Sequence, residues 1–501
     1  MRQLSALVVA GAVVLAGGVA PFAQPGRSAA ADVQLQLGDL LFAEGRYAEA
    51  GDAYRRATHA SDDALARRAG AGLVLSLLRT ADFQGALQVA SALGQTHSSD
   101  PDIVAMRGDA LWSTGQFEEA EAAYEAALSR EATQPRARHG LARALAARNR
   151  LDDALTNALD AVALTPREAE FHHTLAAVYE RLRRFDDAAA SLASYIDRLP
   201  NKERSEKAGW ARAEIRFLQS FKGRAPLHVD ALPAAGTFTV PIKIRGDKVT
   251  VAGKINGGPQ EFVLDTGAER TVISQEVARR RGVMPITAMQ TAGVGEHGLR
   301  GLEVGRIDTL EIGELRMRNV PCLIKNPPLG GLPAREPESL SPLALGFSMR
   351  VDYQRRTLTI GRSLAPAAYS DEMPLRMHRL ALVRGTVNGS LPATFVVDTG
   401  GELISISDAT AGQIQPATPG RRIPLRVYGT SGWDKDAFLM PNVDLAFSSI
   451  RFTGIPVVVL NLRAPSALLG FQLGGIVGHR FLSRYRVTID MERSMVGLEG
   501  S

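Results

Sequence analysis

Over the first 200 residues apolar positions recur at helical spacing, and the pattern repeats with a period near 34. One small residue anchors each repeat, at Ala50, Ala86, Ala120, Ala154 and Ala188, with spacings of 36, 34, 34 and 34. Three residues before each stands a bulky side chain: Tyr47, Phe83, Phe117, Leu151 and Phe185. Gly38 and Gly108 fall where the first helix of a pair crosses the second, Gly45 and Gly115 mark turns, and Pro166 and Pro200 close repeats. The pattern predicts five stacked helical hairpins. In each, the small residue lets the two helices approach, and its bulky neighbour fills the space towards the next unit. Asn201–Lys222 is charged, with apolar Trp210, Ile215, Phe217 and Leu218, and predicts a capping helix. Gly223–Gly236, with Pro226 and Pro233, predicts a linker.

After Thr237 the helical period gives way to short β-branched and aromatic runs. Here the chain repeats itself. Phe262-Val263-Leu264-Asp265-Thr266-Gly267 returns 133 residues later as Phe395-Val396-Val397-Asp398-Thr399-Gly400. Ile255-Asn256-Gly257 and Val387-Asn388-Gly389 precede the two copies, and Asn-Gly between apolar runs signals a hairpin. Downstream, Val320-Pro321 with Asn326 matches Ile455-Pro456 with Asn461, and Arg350-Val351-Asp352 matches the run Arg486–Asp490. An aspartate ending a buried strand is costly unless satisfied, so its double occurrence points to a site.

The helical array resembles the tetratricopeptide repeat, which implies a concave face that holds peptides or protein tails. A spacer or solubilising role is the competing reading. The segment from Thr237 to Gly500 resembles the retropepsin-like aspartic proteases, with both lobes in one chain. The expected fold is therefore multidomain, all-α then all-β: a repeat solenoid followed by a duplicated double barrel. The expected divisions are a signal peptide over 1–31, repeats over 32–200, cap and linker over 201–236, and lobes over 237–363 and 364–501. By the same resemblance an apolar-apolar-Gly element packs behind each triplet, at Leu345-Gly346 and Val477-Gly478. The first lies only six residues before Asp352, against twelve from Gly478 to Asp490. That predicts a shortened or missing helix in the first lobe.

Composition narrows the function. A net charge of +5 over 501 residues, without a basic cluster interleaved with aromatics, argues against nucleic acid as a partner. Cys322 is the single cysteine, which excludes an intrachain disulfide and a cysteine-based metal cluster. Arg2 followed by the apolar stretch Leu4–Ala20 reads as an export signal with a cut after Ala29-x-Ala31 or nearer Ala23. An uncleaved anchor is the alternative. The expected destination is a bacterial periplasm or the exterior. None of the nine histidines lies in His-Glu-x-x-His and there is no Gly-x-Ser-x-Gly, which disfavours metalloprotease and serine hydrolase chemistry.

The resemblance implies that Asp265 and Asp398 are the catalytic pair, sharing one proton and activating a water on a peptide carbonyl, with no metal or cofactor. It implies that Thr266 and Thr399 lock the triplets across the lobes, and that Gly267 and Gly400 give close backbone approach. A degenerate, non-cutting peptide-binding scaffold is the alternative. Acid-working relatives commonly carry Ser or Thr after the triplet. Here Ala268 and Gly401 offer no hydroxyl, which predicts a proton-sharing state that persists to higher pH. Flap candidates are Thr291–Gly301, holding His297, and Tyr428–Asp436, holding Trp433. Trp433 reads equally as a substrate contact and as a cover for the lobe. Glu269 and Glu402 read as structural ion-pair partners, and Cys322 as a core residue. With both lobes in one chain, residues from about Thr237 onward are expected to act as a monomer.

Overall fold

The structure, a computed structural model, describes residues 27–246, 248–294, 299–325, 338–414, 422–429 and 432–500. Ten helices between Arg27 and Arg198 form five hairpins, and an eleventh, Glu206–Gln219, closes the array. Tyr47, Phe83, Phe117, Leu151 and Phe185 are each the first residue of the second helix of a pair. The five anchoring alanines are fully buried. They sit at the helix crossings, where a larger side chain would force each pair apart.

The β-region consists of two lobes built on one plan. Asn256 and Gly257 both take positive φ, as do Asn388 and Gly389, the turn that suits the twist of a two-residue hairpin. Each asparagine side chain then accepts from a backbone amide farther along its own lobe, Thr309 in the first and Asp444 in the second. In lobe 1 the strand Gly258–Leu264 pairs in parallel with Ser339–Leu340. In lobe 2 Leu391–Val397 pairs in parallel with Gly475–Val477.

That pairing corrects the sequence register in lobe 1. Val263 lies opposite Ser339 and Val396 opposite Ile476, so Leu340-Ser341 takes the place of Val477-Gly478. Leu345-Gly346 does not pack behind the triplet. It ends a 3-10 turn, Leu343–Leu345, whose cap Gly346 is left-handed at φ 84°. This turn stands where lobe 2 has the helix His479–Leu482. The first lobe keeps a tighter version of the element, not an absence of it.

The lobes join through a shared sheet. Ser348–Asp352 of lobe 1 pairs antiparallel with Tyr485–Asp490 of lobe 2, Met349 opposite Ile489 and Val351 opposite Val487. One apolar core runs continuously through both lobes, from Phe262 and Phe347 to Phe395 and Phe447. Part of the expected linker is itself structured: His228–Ala231 pairs antiparallel with the strand Leu315–Lys325.

The array packs against both lobes. Trp112 and Phe117 share a core with Leu382, Val396, Phe471 and Leu473 of lobe 2. The rings of Phe117 and Phe471 meet edge-on at 5.1 Å. Arg376 pairs with Glu118 at 2.9 Å and Arg384 with Glu119 at 2.7 Å. On the lobe 1 side, Arg306 donates to the Ser220 carbonyl at 2.9 Å. Residues of both helices of the third pair thus meet lobe 2, and between the array and the lobes lies a cavity of about 1560 Å³.

Candidate active site

Each triplet begins where a buried strand runs out. Phe262, Val263 and Leu264, like Phe395, Val396 and Val397, are all buried. The chain is fixed at that point by the neighbouring strand: the Asp265 amide donates to the Leu340 carbonyl at 2.9 Å, and the Asp398 amide to Val477 at 3.0 Å. The lobes therefore present both aspartates from rigid strand ends, the placement a site of fixed geometry requires.

The threonines tie the ends together. Thr266 Oγ1 donates to the Val397 carbonyl at 2.6 Å and accepts from the Thr399 amide at 3.0 Å. Reciprocally, Thr399 Oγ1 donates to the Leu264 carbonyl at 2.8 Å and accepts from the Thr266 amide at 3.1 Å. Both side chains are within 1% of complete burial, so all four bonds cross the interface without competing water. Gly267 and Gly400 complete the approach. A Cβ on Gly267 would fall 2.6 Å from the Asp398 carboxyl carbon, and one on Gly400 the same distance from that of Asp265. Each glycine leaves room for the opposite lobe's carboxylate.

Asp265 and Asp398 are hydrogen-bonded to each other, and the Asp265 carboxyl is pushed up to about 7. Burial is the main cause, followed by the Asp398 charge and the bond shared with it. A hydrogen bond from the Ser339 hydroxyl and the Lys325 ammonium act in the opposite direction. The amides differ as well. Asp265 Oδ1 accepts from Gly267 at 3.0 Å, whereas Asp398 Oδ1 accepts from Gly400 at 2.8 Å and also from Gly401 at 2.9 Å.

Ser339 escaped the sequence reading, which looked for a hydroxyl only after the triplet. The adjacent strand supplies it, at the position that Ile476 occupies in lobe 2. Correct register between the lobes was the signal needed. Lys248 was missed too: its Nζ donates to the Gly400 carbonyl from the first position of the strand Lys248–Ile255. Glu269 forms a forked pair with Arg379 of lobe 2, Nε at 2.9 Å and Nη2 at 2.7 Å, while Glu402 is exposed. Cys322 is fully buried, and burial pushes its thiol up to about 12.

The flap candidates face each other. The hairpin of Pro285–Ala292 and Leu299–Ile312 carries Val294 to the strand Val427–Gly429 of lobe 2, where a Cβ on Gly429 would lie 2.3 Å from the Val294 carbonyl oxygen. Trp433, half-buried, pairs by backbone with Tyr428. Residues 295–298, including His297, lie outside the described residues. Among the described residues no cluster of His, Cys, Asp or Glu is arranged to hold a metal, and no helix is long and apolar enough to cross a membrane.

Comparison with known proteins matches both parts of this architecture. The gag-polyprotein aspartyl protease family matches residues 251–332, and an aspartyl protease family matches 383–478. Tetratricopeptide repeat families match 23–65, 111–157 and 139–203. A TPR repeat-containing thioredoxin, TTL4 of Arabidopsis thaliana, is 36% identical over 94 residues, which are 19% of this chain and 14% of that protein. The chain thus spans about one-seventh of that relative. Among solved structures, a thermophilic TPR protein of Thermus thermophilus is 20% identical with a TM-score of 0.32, over 38% of this chain and all of that one. YrrB, a TPR protein with an unusual peptide-binding site, is 20% identical with a TM-score of 0.23, over 36% of this chain and 90% of that one. The chain therefore carries tetratricopeptide repeats followed by two retropepsin-like aspartyl protease lobes.

Proposed function

We propose that the protein is an exported aspartic endopeptidase that hydrolyses peptide bonds with a water held between Asp265 and Asp398. The observation that carries this reading is the reciprocal threonine network, which holds two carboxyls in mutual hydrogen bond at strand ends. One carboxyl keeps the shared proton, and the raised proton affinity of Asp265 supports its holding that role. The other takes a proton from the water as its oxygen attacks the substrate carbonyl carbon, and the protonated carboxyl donates to the carbonyl oxygen. The resulting gem-diol collapses when a carboxyl delivers a proton to the amide nitrogen. As the C–N bond breaks, the other carboxylate takes the proton of one gem-diol hydroxyl, an acid and an amine leave, and the pair again holds one proton. The flap hairpins would close over the bound peptide.

Export is the companion proposal. The first described helix starts at Arg27 and buries Ala31, which supports a cut near Ala23 over one after Ala31. N-terminal sequencing of the mature protein decides between them. A protein or peptide partner on the repeats would have to enter the cavity facing the lobes or use the outer helices.

Cleavage of a peptide library by the full chain is the test. Asp265→Asn and Asp398→Asn are each expected to lower kcat by about 10²–10⁴-fold or more, because the shared-proton site fails when either carboxyl is replaced. A variant that keeps full activity would place the chemistry elsewhere. A wild-type protein that binds peptides without cutting them would identify the scaffold alternative.

A further inference from the structure

Glu214 sits in the helix that closes the repeat array, and only 1% of it is exposed. Its Oε1 accepts from Arg270 Nη2 at 2.8 Å, and the Arg270 guanidinium lies over the Phe217 ring at 4.7 Å from its centre. Arg270 stands three residues beyond Gly267 and immediately before the strand Thr271–Ser274. Its neighbour Glu269 is held by Arg379 of lobe 2. The turn leaving Asp265 is therefore tied both to the array and to the second lobe.

The turn leaving Asp398 is held from within the lobes: Lys248 donates to the Gly400 carbonyl, and the His479 and Arg480 amides donate to the carbonyls of Gly401 at 2.7 Å and Glu402 at 3.0 Å. There Glu402 is exposed and Leu403 is 40% exposed. The array therefore meets the two aspartates differently: with a buried ion pair at the turn leaving Asp265, and with apolar packing on Val396 of the strand leading to Asp398. Nor is the Glu214–Arg270 pair arranged for stability alone. Glu214 Oε2 and Arg270 Nη1 are buried without hydrogen-bond partners, and a half-satisfied buried pair is a poor stabiliser. Glu180, in the helix Ala169–Arg181, is pushed up to about 8 by burial and by the Glu214 charge, against the Arg270 and Arg379 charges.

We infer that Glu214 is a positioning residue: through Arg270 it fixes the backbone from Gly267 to Thr271 and so orients the Asp265 carboxyl, making the repeat array part of the active-site frame. The catalytic half of this statement rests on the reading of Asp265 given above; the mechanical half does not.

The test uses the full chain with Glu214→Gln, Arg270→Gln and the double variant, which leaves no uncompensated charge should either single variant fail to fold. Hydrogen exchange over residues 266–271 is measured beside steady-state cleavage of a quenched peptide selected with the wild-type protein. Exchange in that segment is expected to rise on the order of 10-fold, and kcat to fall by a similar factor with KM within about two-fold, since small misplacement of a reacting group is costly. The double variant is expected to be no worse than the worse single one. Unchanged exchange overturns the inference, as does faster exchange with unchanged kcat, or a loss carried by KM alone. If the wild-type protein cleaves nothing, the proposed function falls while exchange still decides the mechanical link.

Discussion

The Asp265 carboxyl is set by opposing neighbours, and each gives a signed expectation. Burial and Asp398 raise it to about 7, while the Ser339 hydroxyl lowers it. Removing that hydroxyl in Ser339→Ala takes away a bond that favours the ionised form, so the alkaline limb of kcat/KM is expected to move to higher pH. Ala268→Ser adds a hydroxyl beside the same group and is expected to move that limb towards acid. A pH–rate profile of both variants reports the apparent values of the coupled pair. Stability carries the same sign. The folded value lies above the ordinary 3.8, so between about 4 and 7 the native state binds more protons than the unfolded one. The stabilising contribution is complete below about 4 and lost as pH rises through about 7. Asp265→Asn is therefore expected to gain in Tm over wild type as pH rises from 4 to 8, as calorimetry at the two ends would show.

At the scale of elements, the strands behind the triplets show what the sequence carried and what it did not. The triplets, the Asn-Gly hairpins and the repeat anchors were legible, because each is a local signature whose backbone demand falls on neighbouring residues. The strand behind Asp265 was not, because its register depends on pairing across about 75 residues and its Gly position is filled by Ser341. Leu345-Gly346 imitates the signature in sequence alone: its glycine is the left-handed end of a 3-10 turn, whereas Gly478 is extended at φ −94°. Ser339 was hidden for the same reason. The two lobes also differ in tolerance. A Cβ on Gly478 would fall 2.6 Å from the Leu403 carbonyl oxygen and 2.8 Å from that of Gly401, whereas Ser341 is already buried with its side chain. Gly478→Ser is expected to destabilise by about 1–3 kcal/mol, the cost of overpacking against backbone that cannot yield. Ser341→Gly is expected to cost about 0.5–1 kcal/mol, mainly in chain entropy. Urea unfolding of the two variants checks the asymmetry.

At the scale of the whole molecule, the repeats and the lobes share a core, and this revises the expectation that the protease half stands alone. Phe471 is completely buried, with Phe117 of the array against its ring. Polar ties surround that contact: the Gln472 amide donates to the Ser113 carbonyl at 2.8 Å, and Thr394 Oγ1 to that of Gly115 at 2.7 Å. Removing the array would uncover Phe471 and Leu473, leave Arg376 and Arg384 without Glu118 and Glu119, and release Arg270 from Glu214. A contiguous apolar patch of that kind on a soluble domain promotes association. Residues 237–501 expressed alone are accordingly expected to self-associate with rising concentration and to melt below the full chain. Residues 27–222 supplied separately are expected to restore both properties. The full chain is expected to unfold without an early transition of the repeats. Light scattering across a concentration series, beside calorimetry of the two forms, measures this. A monomeric isolated half with the full chain's Tm and activity would mean that the shared core contributes nothing to the lobes, and that the repeats are an attached module after all.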